Sequence, residues 1–177
     1  RLEIIKEVFP RAKRVAFLIN PDVPIATFEP VLQAMAVTAK SLKAEVPQFR
    51  VRNPGEFESA FAAMSKQRVD AVSVYDEPML ITNAAAAASL AIKHRMPSIG
   101  FVEFADAGGL IAYGAQIPAM FRRAAVFVDK ILKGAKPGDL PVERTTTFEL
   151  VINLKTAKAL GIKIPQTLFQ RADRVIE

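Results

Sequence analysis

The order of apolar runs along this chain constrains its fold more than any other feature. Residues 14–19 (RVAFLI) form a short apolar run, and 46–51, 69–74, 97–101 and 110–113 read as further strands. The first is of the kind a parallel strand gives when buried on both faces. Segments with helical spacing lie between them. Phe28, Val31, Leu32, Met35, Ala39 and Leu42 form one stripe, and Phe57, Ala60, Phe61 and Met64 a second. A third helix runs from Pro78 to His94-Arg95. Strand followed by helix, four times in succession, predicts an α/β fold with a doubly wound, mostly parallel sheet covered on both faces.

Local signals set the boundaries. Leu2–Phe9 reads as a helix stopped by Pro10. Asn53, Pro54 and Glu56 have the spacing of a capping box. In the C-terminal third, Gly108-Gly109 leads into a strand at Leu110–Tyr113. The spacing then predicts a helix over Pro118–Lys133 that buries Met120, Phe121, Ala124, Ala125, Val128, Ile131 and Leu132, with Gly134 as a left-handed cap. An irregular connection, 136–147, precedes a last strand at Phe148–Ile152. Asn153 caps a short helix that ends at Gly161, and Pro165–Ile176 is expected to be a terminal amphipathic helix.

Composition removes several classes of function. The 177 residues include no cysteine and a single histidine, His94. Thiol nucleophiles, zinc–thiolate sites and disulfides are therefore excluded, and a triad or metal site is hard to build. His94 sits near a helix C-terminus, where a structural role is expected. No dinucleotide or Walker glycine pattern follows a strand, so Gly108-Gly109 reads as a turn and no cofactor is expected. Net charge is +6, but the cations are dispersed: Arg122, Arg123, Lys130 and Lys133 on one helix, Lys155 and Lys158 on another. The aromatics are mostly Phe at core spacings, which speaks against nucleic acid as a partner. No apolar run approaches the roughly 20 residues that span a bilayer.

In doubly wound sheets ligands sit beyond the carboxyl ends of the strands. That rule selects the loops at residues 20–24, 75–78, 101–104 and 114–117. The candidate ligand-binding residues are Asn20, Asp22, Tyr75, Asp76, Phe101 and Gln116. Asn20 and Asp22 suit turn and cap roles as well as they suit ligand contact. Asp76 suits either a cap or a ligand acceptor with Tyr75 as an aromatic wall beside it.

Arg14–Pro21 (RVAFLINP), 69–78 (VDAVSVYDEP) and Ala107–Gln116 followed by Val128–Gly134 resemble the sugar- and amino-acid-binding type I periplasmic proteins. The tail 148–161 (FELVINLKTAKALG) is similar to the ABC-transporter substrate-binding family that includes tryptophan/tyrosine-type binders. The resemblance implies one lobe of a two-lobed receptor, lacking most of the first lobe, which would precede Arg1. Residues 1–116 would be the ligand-binding lobe. Residues 117–147 would be the hinge crossing and a helix belonging to the first lobe, and 148–177 would return to the second. It further implies an exported, periplasmic protein without catalysis, working with an ABC permease in the membrane. Asp76 would match an acidic residue facing the cleft, Gln116 a polar hinge residue, and Asn20 would lie in a cleft-facing loop. Tyr75 and Pro78 depart from the sugar binders, which favours an amino acid or a small aromatic or carboxylate compound. Without the first lobe, the 118–133 stripe is expected to drive self-association. A ligand-sensing effector domain of a transcription regulator shares the same fold and stands as the alternative. An enzyme on a doubly wound fold is the third reading, and it lacks an evident nucleophile.

Overall fold

The computed structural model describes residues 1–143 and 147–177; the side chain of Ile25 and residues 144–146, which belong to the expected crossing connection, lie outside it. The elements are α1 (Leu2–Val8), β1 (Val15–Ile19), α2 (Ile25–Ser41), β2 (Gln48–Arg50), α3 (Phe57–Lys66), β3 (Ala71–Val74), α4 (Pro78–Thr82) and α5 (Ala84–Lys93). They continue as β4 (Ser98–Gly100), α6 (Val102–Asp106), β5 (Ile111–Ala115), α7 (Ile117–Leu132), β6 (Phe148–Asn153), α8 (Leu154–Leu160), α9 (Gln166–Phe169) and β7 (Arg174–Ile176).

Among the described residues seven strands form one sheet in the order β2-β1-β3-β4-β5-β6-β7. The first five are mutually parallel. β6 runs antiparallel to β5, and β7 runs parallel to β6. The order 2-1-3-4-5 reverses between β1 and β3, which makes that gap the topological switch point, where loops diverge and leave a crevice.

Alternation along each strand sorts side chains onto two cores. Ala16, Leu18, Val72 and Val74 join Phe57, Phe61 and Met64 of α3 and the alanines of α5 on one face. Val15, Ala71, Ile99, Ile111 and Ile152 pack with α1 and α8 on the other. Small residues in α5 let it lie close. Gly109 has a similar purpose: a Cβ there would come within 2.2 Å of the Phe104 ring. The Gly108-Gly109 pair therefore combines a left-handed turn at Gly108 (φ +106°) with a close-packing position.

Several expectations are corrected. Pro165–Ile176 is not a continuous helix: α9 makes about one turn, and β7 pairs with β6 in the register Val151↔Arg174 and Ile152↔Val175. Asp173 anchors the change by accepting the backbone N–H of Leu150 at 2.8 Å. The β-branched pair Val175-Ile176 then completes the open edge of the sheet, a tertiary gain that local periodicity does not register. The helix expected from Pro78 to His94 is interrupted at Asn83. The capping box at residue 53 is half formed: Glu56 reaches back to Arg52 N and Asn53 Nδ2, but the Asn53 side chain caps nothing. α7 buries none of its residues, contrary to the stripe expected to be buried. Phe121 and Leu132 are 72% and 82% exposed, and Val128 is more than half exposed. Asn153 does cap α8, accepting from Thr156 N at 3.1 Å.

Candidate functional site

Because β1, β3, β4 and β5 are parallel, the residues that follow them share one edge of the sheet. Asn20 follows β1, Tyr75 and Asp76 follow β3, Phe101 follows β4 and Gln116 follows β5. The structure gives each a different setting.

Asn20 and the β3–α4 loop meet across the switch point. Asn20 Oδ1 accepts from Asp22 N at 3.0 Å, a turn closed by its own side chain, and its Nδ2 donates to Glu77 Oε2 at 3.3 Å. Glu77 is 5% exposed and caps α4 by accepting from Leu80 N and Met79 N at 2.6 and 3.1 Å. The cap of this helix is thus Glu77, and Asp76 is left facing outward.

Asp76 is paired with Arg1. The guanidinium meets both carboxylate oxygens and also donates to the carbonyls of Val74 and Tyr113, the latter at 2.8 Å. Arg1 therefore ties the end of β3 to β5 across the top of β4. Tyr75 packs edge-on against Phe17 and Phe28, with ring centroids 5.7 and 5.2 Å away, and those two phenylalanines stack on each other. Burial pushes the Tyr75 phenol above its ordinary pKa, and the carboxylates of Asp76 and Glu77 push it further, so it stays neutral near pH 7.

The other candidates are separate. Asp22 is exposed and lies 3.4 Å from Arg52 Nε. The Phe101 ring turns into the core against Phe104 and is 3% exposed. Gln116 lies where β5 leaves the sheet and donates to Glu149 Oε2 at 3.1 Å. Glu149 also pairs with Arg174, which holds Asp106. A recess of about 370 Å³ opens there, between Gln116, Pro118, Glu149 and Arg174. His94 ends α5 with Nδ1 2.9 Å from Ser65 Oγ, remote from this edge.

Sequence reasoning missed Arg1, Glu77 and the Phe17–Phe28–Tyr75 cluster. Glu77 was readable as the residue before a proline at the first helical position. The inward side of Phe17 follows from strand alternation. Nothing local marks Arg1.

The doubly wound sheet, with polar loops gathered at one carboxyl edge, is an α/β architecture of the periplasmic-binding-protein kind. Comparison with known proteins makes this specific. The profile of the ABC transporter substrate binding protein family matches residues 1–176, and the chain belongs to that family. Its members are substrate-binding proteins, not enzymes. A tyrosine-binding protein of Clostridioides difficile (strain R20291) is 22% identical over 163 residues, 92% of this chain and 46% of the relative. The structure of an ABC domain in complex with L-Trp from Streptococcus pneumonia superposes with a TM-score of 0.88 at 25% identity, covering 99% of this chain and 60% of that one. A conserved domain protein from Vibrio cholerae gives 0.89 at 23% identity, covering 98% and 58%. The chain thus spans about half the length of the curated relative and about three fifths of the two structures.

Proposed function

We propose that this chain is the ligand-binding lobe of the solute-binding component of an ABC importer. Its ligand is an amino acid or a small aromatic or carboxylate compound, held over the carboxyl edge of β1, β3 and β5. The observation that carries this reading is the switch point itself, where Asn20 is bonded to Glu77 of the loop that also carries Asp76 and Tyr75, and Tyr75 packs with Phe17 and Phe28, in a chain of this family. Tyrosine and L-Trp, the ligands of two similar proteins, are the first to test.

In this reading residues 1–116 and 148–177 form one lobe, and α7 packs its exposed stripe on a second lobe. The two lobes close on ligand by hinge motion, and the closed form docks on a membrane permease from the exported side. Exposure of Phe121, Val128 and Leu132 supports the assignment of α7, since an apolar stripe of this size calls for a cover.

The test is calorimetric titration of the protein carrying both lobes with L-Tyr, L-Trp, aliphatic amino acids and aromatic carboxylates, followed by recovery of the ligand. Saturable binding of at least one compound, recovered unchanged, supports the reading. Absence of binding across the panel, or chemical conversion of a bound compound, overturns it.

A further inference from the structure

The links that lead from α1, α2, α3 and α5 into β1, β2, β3 and β4 fall at the amino edge of the sheet, opposite the loops described above. Their charge is one-sided. Lys43 precedes β2, Arg11 and Lys13 precede β1, Arg68 precedes β3 and Arg95 precedes β4. These strands are neighbours in the order β2-β1-β3-β4. At about 4.8 Å from strand to strand, the cations spread over roughly 15 Å. All five are exposed, and none makes a side-chain ion pair among the described residues. The carboxylates of the same links are already engaged. Glu45 lies 3.1 Å from Arg14 Nε, and Asp70 accepts from Lys13 N and Arg14 N at 2.7 and 2.8 Å. The carboxyl edge carries no such excess: Asp22 faces Arg52, Asp76 faces Arg1, and Glu77 adds a further carboxylate.

Helix C-termini attract cations, but that attraction does not explain the backbone here. Among the described residues the non-glycine positions with positive φ are Lys43, Arg68 and Arg95, at +51°, +53° and +52°. Each stands just past a helix end, where glycine is favoured. Gly108 and Gly134 hold that position after α6 and α7. Three long cations thus stand where the backbone suits glycine. The partial negative charge of each helix end is only about half a unit, which the cations exceed.

The surroundings narrow the partner. Exposed large apolar residues such as Phe121, Leu132 and Val142 lie elsewhere, and none falls in these links. A protein partner would find no apolar anchor. No exposed aromatic is present there for a base to stack on, and the helices present their C-terminal ends, not the N-terminal ends that read a groove. What fits is an anionic surface that binds through charge and adjusts its spacing to the protein. We propose that the amino edge docks on a bilayer surface carrying anionic phospholipid. Mobile headgroup phosphates gather under Arg11, Lys13, Lys43, Arg68 and Arg95, and the carboxyl edge faces away from the bilayer. No ligand takes part, so this surface stands or falls independently of the cleft reading.

The test is sedimentation of the whole chain with vesicles of phosphatidylcholine alone or with phosphatidylglycerol added. Binding to the anionic vesicles only is expected, with loss at about 0.5 M salt, where charges are screened beyond a few Å. Lys43→Gly, Arg68→Gly and Arg95→Gly together should weaken it about a hundredfold, at roughly fivefold per cation. Glycine suits the left-handed backbone at all three positions, so the fold is kept, checked by the unfolding midpoint. Arg11→Gln with Lys13→Gln forms an independent pair and should weaken binding about twentyfold. Lys130→Ala, Lys133→Ala and Lys136→Ala together remove the same charge as the glycine set from another part of the chain, and should change binding by no more than about threefold. Absence of binding to anionic vesicles, equal binding to neutral ones, equal loss in the two triple variants, or tighter binding to a DNA duplex at the same salt overturns the inference.

Discussion

Asn20 and Glu77, 57 residues apart, are joined across the switch point by one hydrogen bond from Asn20 Nδ2 to Glu77 Oε2 at 3.3 Å. Glu77 accepts two further bonds from the first turn of α4. One buried carboxylate thus closes a helix end and fixes the neighbouring loop. Glu77→Ala removes all three bonds and leaves buried donors unmatched, and should lower stability by about 2 kcal/mol, read as a reduced midpoint in urea with unchanged slope. Glu77→Gln keeps one acceptor oxygen and should lose less. Equal stability of wild type and Glu77→Ala would show that water replaces the cap.

Asp76 is the group on which the cleft reading most depends. In the protein carrying both lobes, Asp76→Ala should weaken binding of L-Tyr or L-Trp, whichever binds, by about 1–3 kcal/mol by calorimetry. Arg1→Ala separates two origins of that loss. If Arg1 alone occupies the carboxylate, its removal frees Asp76 and affinity should hold or rise. If affinity falls equally for both variants, the pair acts as a unit. Full affinity in Asp76→Ala would leave it only as the partner of Arg1.

The exposed stripe on α7 predicts association of this chain in solution. Light scattering should show mass rising with concentration, and Phe121→Asp with Leu132→Asp should return it to a monomer, since both positions are among the most exposed apolar ones. A concentration-independent monomer would contradict the expectation.

Glu143 and Arg123 form an exposed bidentate pair that fastens the connection after α7 back onto that helix. The hydrogen bond from Arg123 holds the Glu143 carboxyl below its ordinary pKa, helped by attraction to Arg123 and Lys130. A lowered folded-state pKa means the contact is fully present above the unfolded carboxyl value and is lost as pH falls through the folded one. NMR titration of Glu143 should give a midpoint below that of an unpaired glutamate, returning towards it in Arg123→Ala. An identical midpoint in the variant would remove the pairing.

The parallel sheet was legible because a continuous apolar strand such as Arg14–Ile19 alternates along the chain with helices that carry clean stripes, such as Phe57–Met64. β7 was not, because Arg174–Ile176 is too short to declare a period and becomes a strand only beside β6. The loops of the carboxyl edge could be named from strand order alone. Their side-chain partners could not: Arg1 reaches Asp76 over 75 residues of sequence, and Phe101 gives no local sign that its ring turns inward. Glu77 was overlooked because an acidic neighbour, Asp76, drew the same reasoning.

β5 and β6 are adjacent and antiparallel, with Ala115 directly opposite Phe148, Gln116 N bonded to Thr147 O and Tyr113 stacked on Phe148. Topologically these strands are the two arms of a hairpin, and residues 116–147, α7 included, are its loop. A two-residue turn would suffice to join such arms. The sheet therefore closes without α7. An excision that links Ala115 to Phe148 by a short turn should leave a folded domain, whereas a cut within either arm should not.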